Sequence, residues 1–183
     1  MLVIHPNDRT TSFLSALYDG MPDVRAFHHT VSRKELNHVL HHTSRSERIM
    51  LLGHGCHAGL MWREDDTSPE FDGVVVGHPH TYHLRNHGGN IVAVFCHADV
   101  FATNERLSGL FTGMIISEMQ EALEYQIETT EEEIERENCK FVMRLRSLLD
   151  QKVPLSDVPR RMLELDDVHS PLTVFNYHNI YYL

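Results

Sequence analysis

The chain has 183 residues, of which 42% are hydrophobic, and its formal net charge is −10 at pH 7. This acidic balance argues against binding to nucleic-acid phosphates, which requires clustered lysine and arginine. The apolar runs are too short for a membrane-spanning helix, and the first residues lack the basic and apolar regions of a signal peptide. We therefore expect one cytoplasmic domain over residues 1–183, with its three cysteines as free thiols.

The first part of the chain alternates short apolar runs with helical patterns. Strands are predicted at residues 2–5, 24–28 and 48–52. Apolar residues have helical spacing over residues 12–18, and a capping box at 32–35 opens a second helix. Strands separated by short helices predict an α/β fold, with a mainly parallel central sheet flanked by helices on both faces.

A change of pattern after the third strand predicts an inserted β-hairpin. Its strand-like pieces are residues 59–62 and 74–76, and an acidic turn separates them. A loop and a short helix are expected over residues 78–86. Gly88-Gly89-Asn90 then breaks the chain before a fourth strand at residues 91–95.

The second part of the chain is predicted to be mainly helical. We expect a helix over 104–111, a fifth strand over 113–117 and a long helix opened by the capping box at 130–133. A shorter helix begins near Ser156, and residues 172–175 and 180–182 are predicted as a closing strand. The single domain thus divides into a sheet core over residues 1–120 and C-terminal helices with a closing strand over 121–183.

Two predicted strands end in chemically competent side chains. The apolar run at residues 49–52 leads into Gly53-His54-Gly55, and the run at 91–95 leads into Cys96. Because the carboxyl ends of parallel strands lie at one edge of a sheet, His54 and Cys96 should meet there. Histidine as a residue type accepts protons near neutral pH, and a thiol attacks carbonyl groups as the thiolate. The pattern predicts the Cys–His dyad of a cysteine hydrolase.

An oxyanion site is predicted from the same two segments. Gly55 lacks a Cβ, so its backbone N–H can approach a substrate carbonyl, and the N–H of Cys96 is the natural second donor. We also expect a helix that follows Cys96 to lower the pKa of its thiol through the positive end of the helix dipole.

Other interpretations of these residues remain open. A cysteine at the end of an apolar strand is often a small buried hydrophobe. Residues 53–57 together with Cys96-His97 contain the side chains of a transition-metal site, but no standard zinc spacing is present. A tyrosine-phosphatase loop is excluded because position 102, where it needs arginine, is alanine. We expect neither a metal nor a cofactor.

The two strand-end motifs resemble those of the caspase-like cysteine peptidases, the group of caspases, metacaspases, gingipains, clostripain, separase and CHAT domains. The resemblance covers residues 1–120. It includes the hairpin between the motifs and the segment Gly113–Glu118, which matches the strand after the nucleophile. It implies a caspase-like fold, with Cys96 as nucleophile and His54 as general base and proton donor to the leaving amine. It also implies an oxyanion hole formed by Gly55 and the Cys96 backbone.

The resemblance further implies a peptide or protein substrate, while the acidic charge and the short apolar runs argue against nucleic acid or a membrane as a partner. The acidic surplus suits a basic P1 residue, and Glu118, Asp99 and the turn at residues 64–66 are candidate partners for it. His97 departs from the family pattern and is a further candidate for substrate binding. Since the chain is short and shows no activation linker, a catalytically inactive binding or regulatory domain is the main alternative. The sequence does not indicate an oligomeric state.

Overall fold

The computed structural model describes residues 1–29 and 32–183. Strands β1 to β9 are Leu2–Ile4, Arg25–Phe27, Ile49–Leu52, Gly55–Cys56, Gly59–Trp62, Gly73–Gly77, Ile91–Val94, Gly109–Thr112 and Ile180–Tyr182. Helices α1 to α7 are Arg33–His42, Thr81–Leu84, Ala98–Glu105, Met119–Glu124, Glu131–Asp150, Val158–Leu165 and Pro171–His178. Segments of 3₁₀ helix cover Arg9–Leu17, His78–His80 and Arg85–His87.

A mostly parallel sheet lies at the centre of the fold, in the strand order β2-β1-β3-β7-β8-β9. Strands β2, β1, β3, β7 and β8 are mutually parallel, and β9 closes the sheet antiparallel to β8. The predicted α/β architecture with a mainly parallel sheet is confirmed. The parallel order matters for the site, because it places the carboxyl ends of β1, β3, β7 and β8 at the same edge.

Both faces of the sheet are buried, which explains why its central strands are apolar throughout. On β3, Met50 and Leu52 pack in a cluster with residues of α5, α6 and the segment Arg9–Leu17. Ile49 and Leu51 point to the other face, where they pack with residues of α1, α3 and the β5–β6 hairpin. The alternation follows from the two-residue period of a strand.

The segment that follows Cys96 differs from its prediction. The helix expected over 104–111 and the strand expected over 113–117 are both wrong, because α3 already begins at Ala98 and β8 is Gly109–Thr112. The spacing of Leu107, Leu110 and Phe111 fits a helical period as well as a buried strand. Gly109 decides between them, since it has φ of +155° and a Cβ there would lie 2.4 Å from the carbonyl oxygen of Ile91.

The last third of the chain is partly as predicted. The long helix α5 begins after Thr130, whose side chain accepts a hydrogen bond from the Glu133 N–H. The strand expected over 172–175 is wrong, because these residues lie in α7, where the Ser170 side chain caps the helix and Pro171 occupies the first turn. The closing strand at 180–182 is confirmed as β9.

The predicted hairpin is confirmed and belongs to a separate small sheet. Strands β4, β5 and β6 form an antiparallel sheet in that order. Strand β4 begins at Gly55, directly after His54, so His54 lies at the junction between the two sheets. No helix in the described ranges combines the length and apolar character needed to span a membrane.

Candidate active site

The ends of four adjacent parallel strands supply the candidate site. Strand β1 leads into Asp8, β3 into His54, β7 into Cys96, and β8 into the segment 113–118. This is the edge of an open α/β sheet where ligands generally bind. The strands supply rigid supports, and the side chains project from the connections that follow them.

His54 and Cys96 line one narrow cleft, together with Thr11, Phe95 and Ile115 among others. The cleft has a volume of about 20 Å³, which is room for about one water molecule. Thr11 is buried, and its hydroxyl has no hydrogen-bond partner within the part of the chain that the structure describes. An imidazole, a thiol and a hydroxyl group that is free to donate a hydrogen bond therefore line the same small cleft.

The imidazole of His54 is held by a polar network on one side. Its Nε2 lies 2.7 Å from Thr10 Oγ1 and 3.3 Å from Asp8 Oδ1. Because the Thr10 hydroxyl donates to Asp8 at 2.7 Å, it accepts from His54, which places the ring proton on Nε2. This tautomer leaves Nδ1 as the proton acceptor, which is the form that a general base requires.

Asp8 is the centre of that network. Besides His54 and Thr10, it accepts a 2.6 Å hydrogen bond from Nε of Arg63, and all of these side chains are largely buried or partly buried. Burial opposes ionisation of Asp8, but hydrogen bonds from His54, Arg63 and Thr10 outweigh it and hold its pKa well below the usual range. Asp8 is thus a firmly ionised carboxylate beside the imidazole.

Sequence reasoning missed Asp8, Thr10 and Arg63. Asp8 follows β1 in a Pro6-Asn7-Asp8 turn that matches no catalytic motif. The one local signal is its role as a helix cap, since it accepts a hydrogen bond from the Thr10 N–H at the start of the 3₁₀ segment. Its approach to His54 depends on the pairing of β1 with β3.

The thiol of Cys96 has different surroundings. Its Sγ lies 3.8 Å from the carbonyl oxygen of Ile115 and 3.9 Å from Oε1 of Glu121. Burial, together with the negative charge of Glu121, raises the pKa of the Cys96 thiol to about 12. The expected lowering of this pKa is wrong, although α3 does begin two residues later at Ala98. The nearby carboxylate and desolvation outweigh the dipole of this short helix.

Glu121 itself was also missed by sequence reasoning. Its Oε2 accepts hydrogen bonds from Ser117 N at 2.6 Å, Ser117 Oγ at 3.0 Å and Glu118 N at 3.3 Å. Burial raises the pKa of Glu121, while the hydrogen bonds from Ser117 act in the opposite direction. The residue belongs to a capping box at the start of α4, a pattern that the sequence shows but that does not reveal its proximity to Cys96.

Gly55 joins the two motifs by contact. A Cβ at this position would lie 2.2 Å from Cδ2 of Phe95 and 2.9 Å from the carbonyl oxygen of Gly59. The Phe95 ring, directly before Cys96, therefore rests against the backbone that follows His54. The close packing requires glycine here, and the oxyanion role of Gly55 and of the Cys96 N–H stays a prediction.

The weaker sequence candidates are distributed around the site. His97 adopts a left-handed conformation, with φ of +64°, and its N–H donates to the Gly113 carbonyl. Asp99 lies in the first turn of α3. Neither residue lines the cleft or the adjoining groove, whereas Glu118 does line the groove.

That groove is the largest opening beside the cleft, and we call it the acidic groove. Its volume is about 660 Å³, and it shares Phe13 and Ser117 with the cleft. Three carboxylates line it, those of Glu118, Glu131 and Glu135, and Arg9 is its one cation among the described residues. The acidic turn after β5 touches its rim, where Asp66 accepts a hydrogen bond from the Arg9 N–H.

The metal alternative gains no support from the geometry. Within residues 1–29 and 32–183, no three His, Cys, Asp or Glu side chains are arranged to hold a metal ion together. This applies to residues 53–57 with Cys96-His97, which the sequence suggested as a ligand set.

Comparisons with protein-family models, with curated proteins and with solved structures find no match to this chain. A functional assignment therefore rests on the geometry and chemistry of the site itself.

Proposed function

We propose that the chain is a cysteine peptidase of caspase-like fold that hydrolyses peptide bonds through a Cys96–His54 dyad. The observation that carries this proposal is the convergence of both side chains on one cleft, from the ends of the adjacent parallel strands β3 and β7. The fixed orientation of the imidazole by Asp8 supports it. A nucleophile, a base and a group that orients the base are the three parts that such chemistry needs.

The proposed reaction follows acyl transfer. Nδ1 of His54 takes the thiol proton as Sγ of Cys96 attacks the scissile carbonyl carbon, which gives a tetrahedral intermediate. Its oxyanion is stabilised by the N–H groups of Gly55 and Cys96. The protonated imidazole then donates its proton to the leaving amine as the C–N bond breaks. Water, activated by the same imidazole, hydrolyses the resulting thioester and restores the thiol.

The side chains on the His54 side have a defined part in this cycle. His54 becomes positively charged when it takes the proton, and the ionised Asp8 stabilises that charge at a distance of 3.3 Å. Arg63 holds Asp8 from its other oxygen, so the carboxylate does not take the proton itself. Asp8 therefore acts as a positioning residue for the base.

The acidic groove supports a peptide or protein substrate with a basic P1 residue. Glu118, Glu131 and Glu135 present carboxylates to a space that adjoins the cleft and is large enough for an arginine or lysine side chain. A positively charged side chain gains Coulomb energy in such a groove, especially at low ionic strength. Glu118, which follows β8, is the candidate nearest in sequence to the cleft-lining residue Ser117.

A catalytically inactive binding domain is the second candidate, and one observation favours it. The hydrogen bonds of the Cys96 thiol run to Ile115 and Glu121, and its pKa is raised to about 12. A thiol in this condition is a poor nucleophile at neutral pH.

The test is cleavage of a fluorogenic peptide library in which the P1 residue is varied. We expect cleavage after arginine or lysine, and we expect Cys96→Ala and His54→Ala each to abolish it. Matched controls are Cys56→Ala and the surface variant His41→Ala, which should both retain cleavage. Absence of cleavage with every P1 residue supports the inactive binding domain, and retained turnover in either dyad variant contradicts the dyad.

A further inference from the structure

The two oxygens of Glu121 have different partners. Oε2 is fully engaged, because it accepts the three hydrogen bonds from Ser117 and Glu118. Oε1 points to the sulfur of Cys96 at 3.9 Å. The backbone hydrogen bonds fix the carboxyl group in place, so its position beside the thiol is determined by the start of α4 and not by a free side-chain rotamer.

The groups that face Cys96 come from several elements. Glu121 and Glu118 lie at the start of α4, Tyr125 lies at its end, and His54 follows β3. The Ile115 carbonyl, after β8, is a second acceptor for the thiol proton. The Glu121 carboxylate and the Ile115 carbonyl oxygen thus contact the sulfur, and the negative charges of Glu121 and Glu118 disfavour the thiolate.

We propose that Glu121 is a positioning residue that keeps the Cys96 thiol in its neutral, unreactive form, and that a cationic group bound in the acidic groove removes this restraint. This inference rests on the proposed function, since it names what makes the same nucleophile reactive. It follows from the fixed carboxyl group at 3.9 Å from the sulfur and from the acidic groove, which is lined by Glu118 and Gln120 of the same helix start and adjoins the cleft at Ser117.

Removal of the restraint needs only charge compensation and one proton transfer, with no oxidation or reduction. A guanidinium or ammonium group held in the groove at Glu118 offsets part of the negative charge of Glu118 and of the neighbouring Glu121, and this negative charge disfavours the thiolate. The thiol proton then passes to Nδ1 of His54, and the resulting imidazolium is stabilised by Asp8. Reactivity thereby depends on the charge of the bound side chain, which couples substrate selection to the first chemical step.

The first experiment measures alkylation of Cys96 by iodoacetamide as a function of pH, with peptide mass spectrometry to separate it from Cys56 and Cys139. Removing a like charge at this distance lowers a pKa by about one unit. For Glu121→Gln we therefore expect the Cys96 alkylation profile to move to lower pH by about that amount. The net rate at a given pH should rise about threefold, because a less basic thiolate is also less nucleophilic.

The matched control is Glu124→Gln, which removes one negative charge from the same helix at an exposed position. Its alkylation profile should coincide with that of the unmodified chain. An unchanged or upward shift for Glu121→Gln, in a variant that retains the parent circular-dichroism spectrum, would overturn the proposal. A purely structural role in capping α4 would lower stability without this directed shift.

The second experiment uses the unmodified chain with agmatine, a guanidinium compound that mimics an arginine side chain. We expect agmatine to accelerate alkylation of Cys96 in the unmodified chain and to have no further effect in Glu121→Gln. No acceleration in the unmodified chain overturns the role of the cation. Both readouts are independent of peptide cleavage, so a chain that cleaves no peptide can still confirm the restraint, and a failed restraint leaves the dyad test unaffected.

Discussion

The two sides of the candidate site have opposite electrostatics. At His54, the carboxylate of Asp8 meets Arg63 and the imidazole, and its pKa is held low. At Cys96, the carboxyl group of Glu121 meets a thiol, and burial raises the pKa of both. The first side pairs opposite charges, whereas the second disfavours a further negative charge on the sulfur beside Glu121. We call them the His54 side and the Cys96 side.

This difference shows which of the two catalytic groups has a counter-charge for its ionised form. The His54 side already contains the ionised partner that an imidazolium needs. On the Cys96 side, the hydrogen-bond partners of the sulfur within residues 1–29 and 32–183 are a carbonyl oxygen and a carboxylate, and neither compensates a negative charge on the sulfur. The two sides therefore differ in whether a charge on the catalytic group is compensated by a neighbouring opposite charge.

The largest effect should come from Asp8→Asn, which breaks the His54 side. This change leaves the buried Arg63 guanidinium without its anion, so we expect the free energy of unfolding to fall by about 3 kcal/mol. Chemical denaturation measures it. The exposed turn variant Glu70→Gln should lie within about 0.5 kcal/mol of the parent, and Glu121→Gln within about 1 kcal/mol. A loss below about 1 kcal/mol for Asp8→Asn would mean that the network contributes little to stability.

Acid should also destabilise the fold, through the buried His5 directly after β1. Burial lowers the pKa of His5 from 6.5 to about 4. Between these values the unfolded chain binds a proton that the folded chain does not, so stability falls as the pH is lowered through that window. The full loss is about 3 kcal/mol.

Denaturation curves at a series of pH values test this effect. His5→Gln should reduce the slope between these two pH values, while the exposed His29→Gln should keep the full slope. The remainder of the slope in His5→Gln comes from His80, His83 and His87, whose pKa values burial also lowers. On the Cys96 side the sign is reversed, because the raised pKa of Glu121 makes acidification favourable there. Equal slopes in the parent chain and in His5→Gln would show that His5 is not the group responsible.

The smallest predicted effect concerns the contact between the two sides. Gly55→Ala places a Cβ 2.2 Å from the Phe95 ring, and we expect a loss of about 2 kcal/mol from overpacking. Thermal unfolding with Gly73→Ala as control measures it, since a Cβ at Gly73 meets only Trp62 Nε1 at 3.4 Å. Comparable stability of the two variants would contradict the tight contact at Gly55.

Much of the central sheet could be predicted because its strands are short, apolar and separated by clear breaks. The strands predicted at residues 48–52 and 91–95 are confirmed, each to within one residue, as β3 and β7, and the capping box at 130–133 correctly predicts the start of α5. The prediction for the segment after Cys96 is wrong, because the spacing of Leu107, Leu110 and Phe111 fits both a helix and a buried strand. There the choice depends on the close approach of Gly109 to Ile91, a tertiary contact.

The site was predictable only in part, for a related reason. His54 and Cys96 end recognisable strands, so their common edge follows from the parallel order of the sheet. Asp8, Thr10, Arg63 and Glu121 lie in turns and at helix starts with no motif of their own. Glu121 is 25 residues from Cys96 in sequence, and Asp8 is 46 residues from His54.

The sequence by itself determined the α/β class, the mainly parallel sheet and the two strand ends that carry an imidazole and a thiol. Local patterns are sufficient for this, because apolar periodicity and strand breaks act over a few neighbouring residues. Only the tertiary structure decided which charged groups lie beside them. Ionisation depends on desolvation and on the charges within a few ångströms, and in this fold those charges come from Asp8 and Glu121, which are distant in the chain.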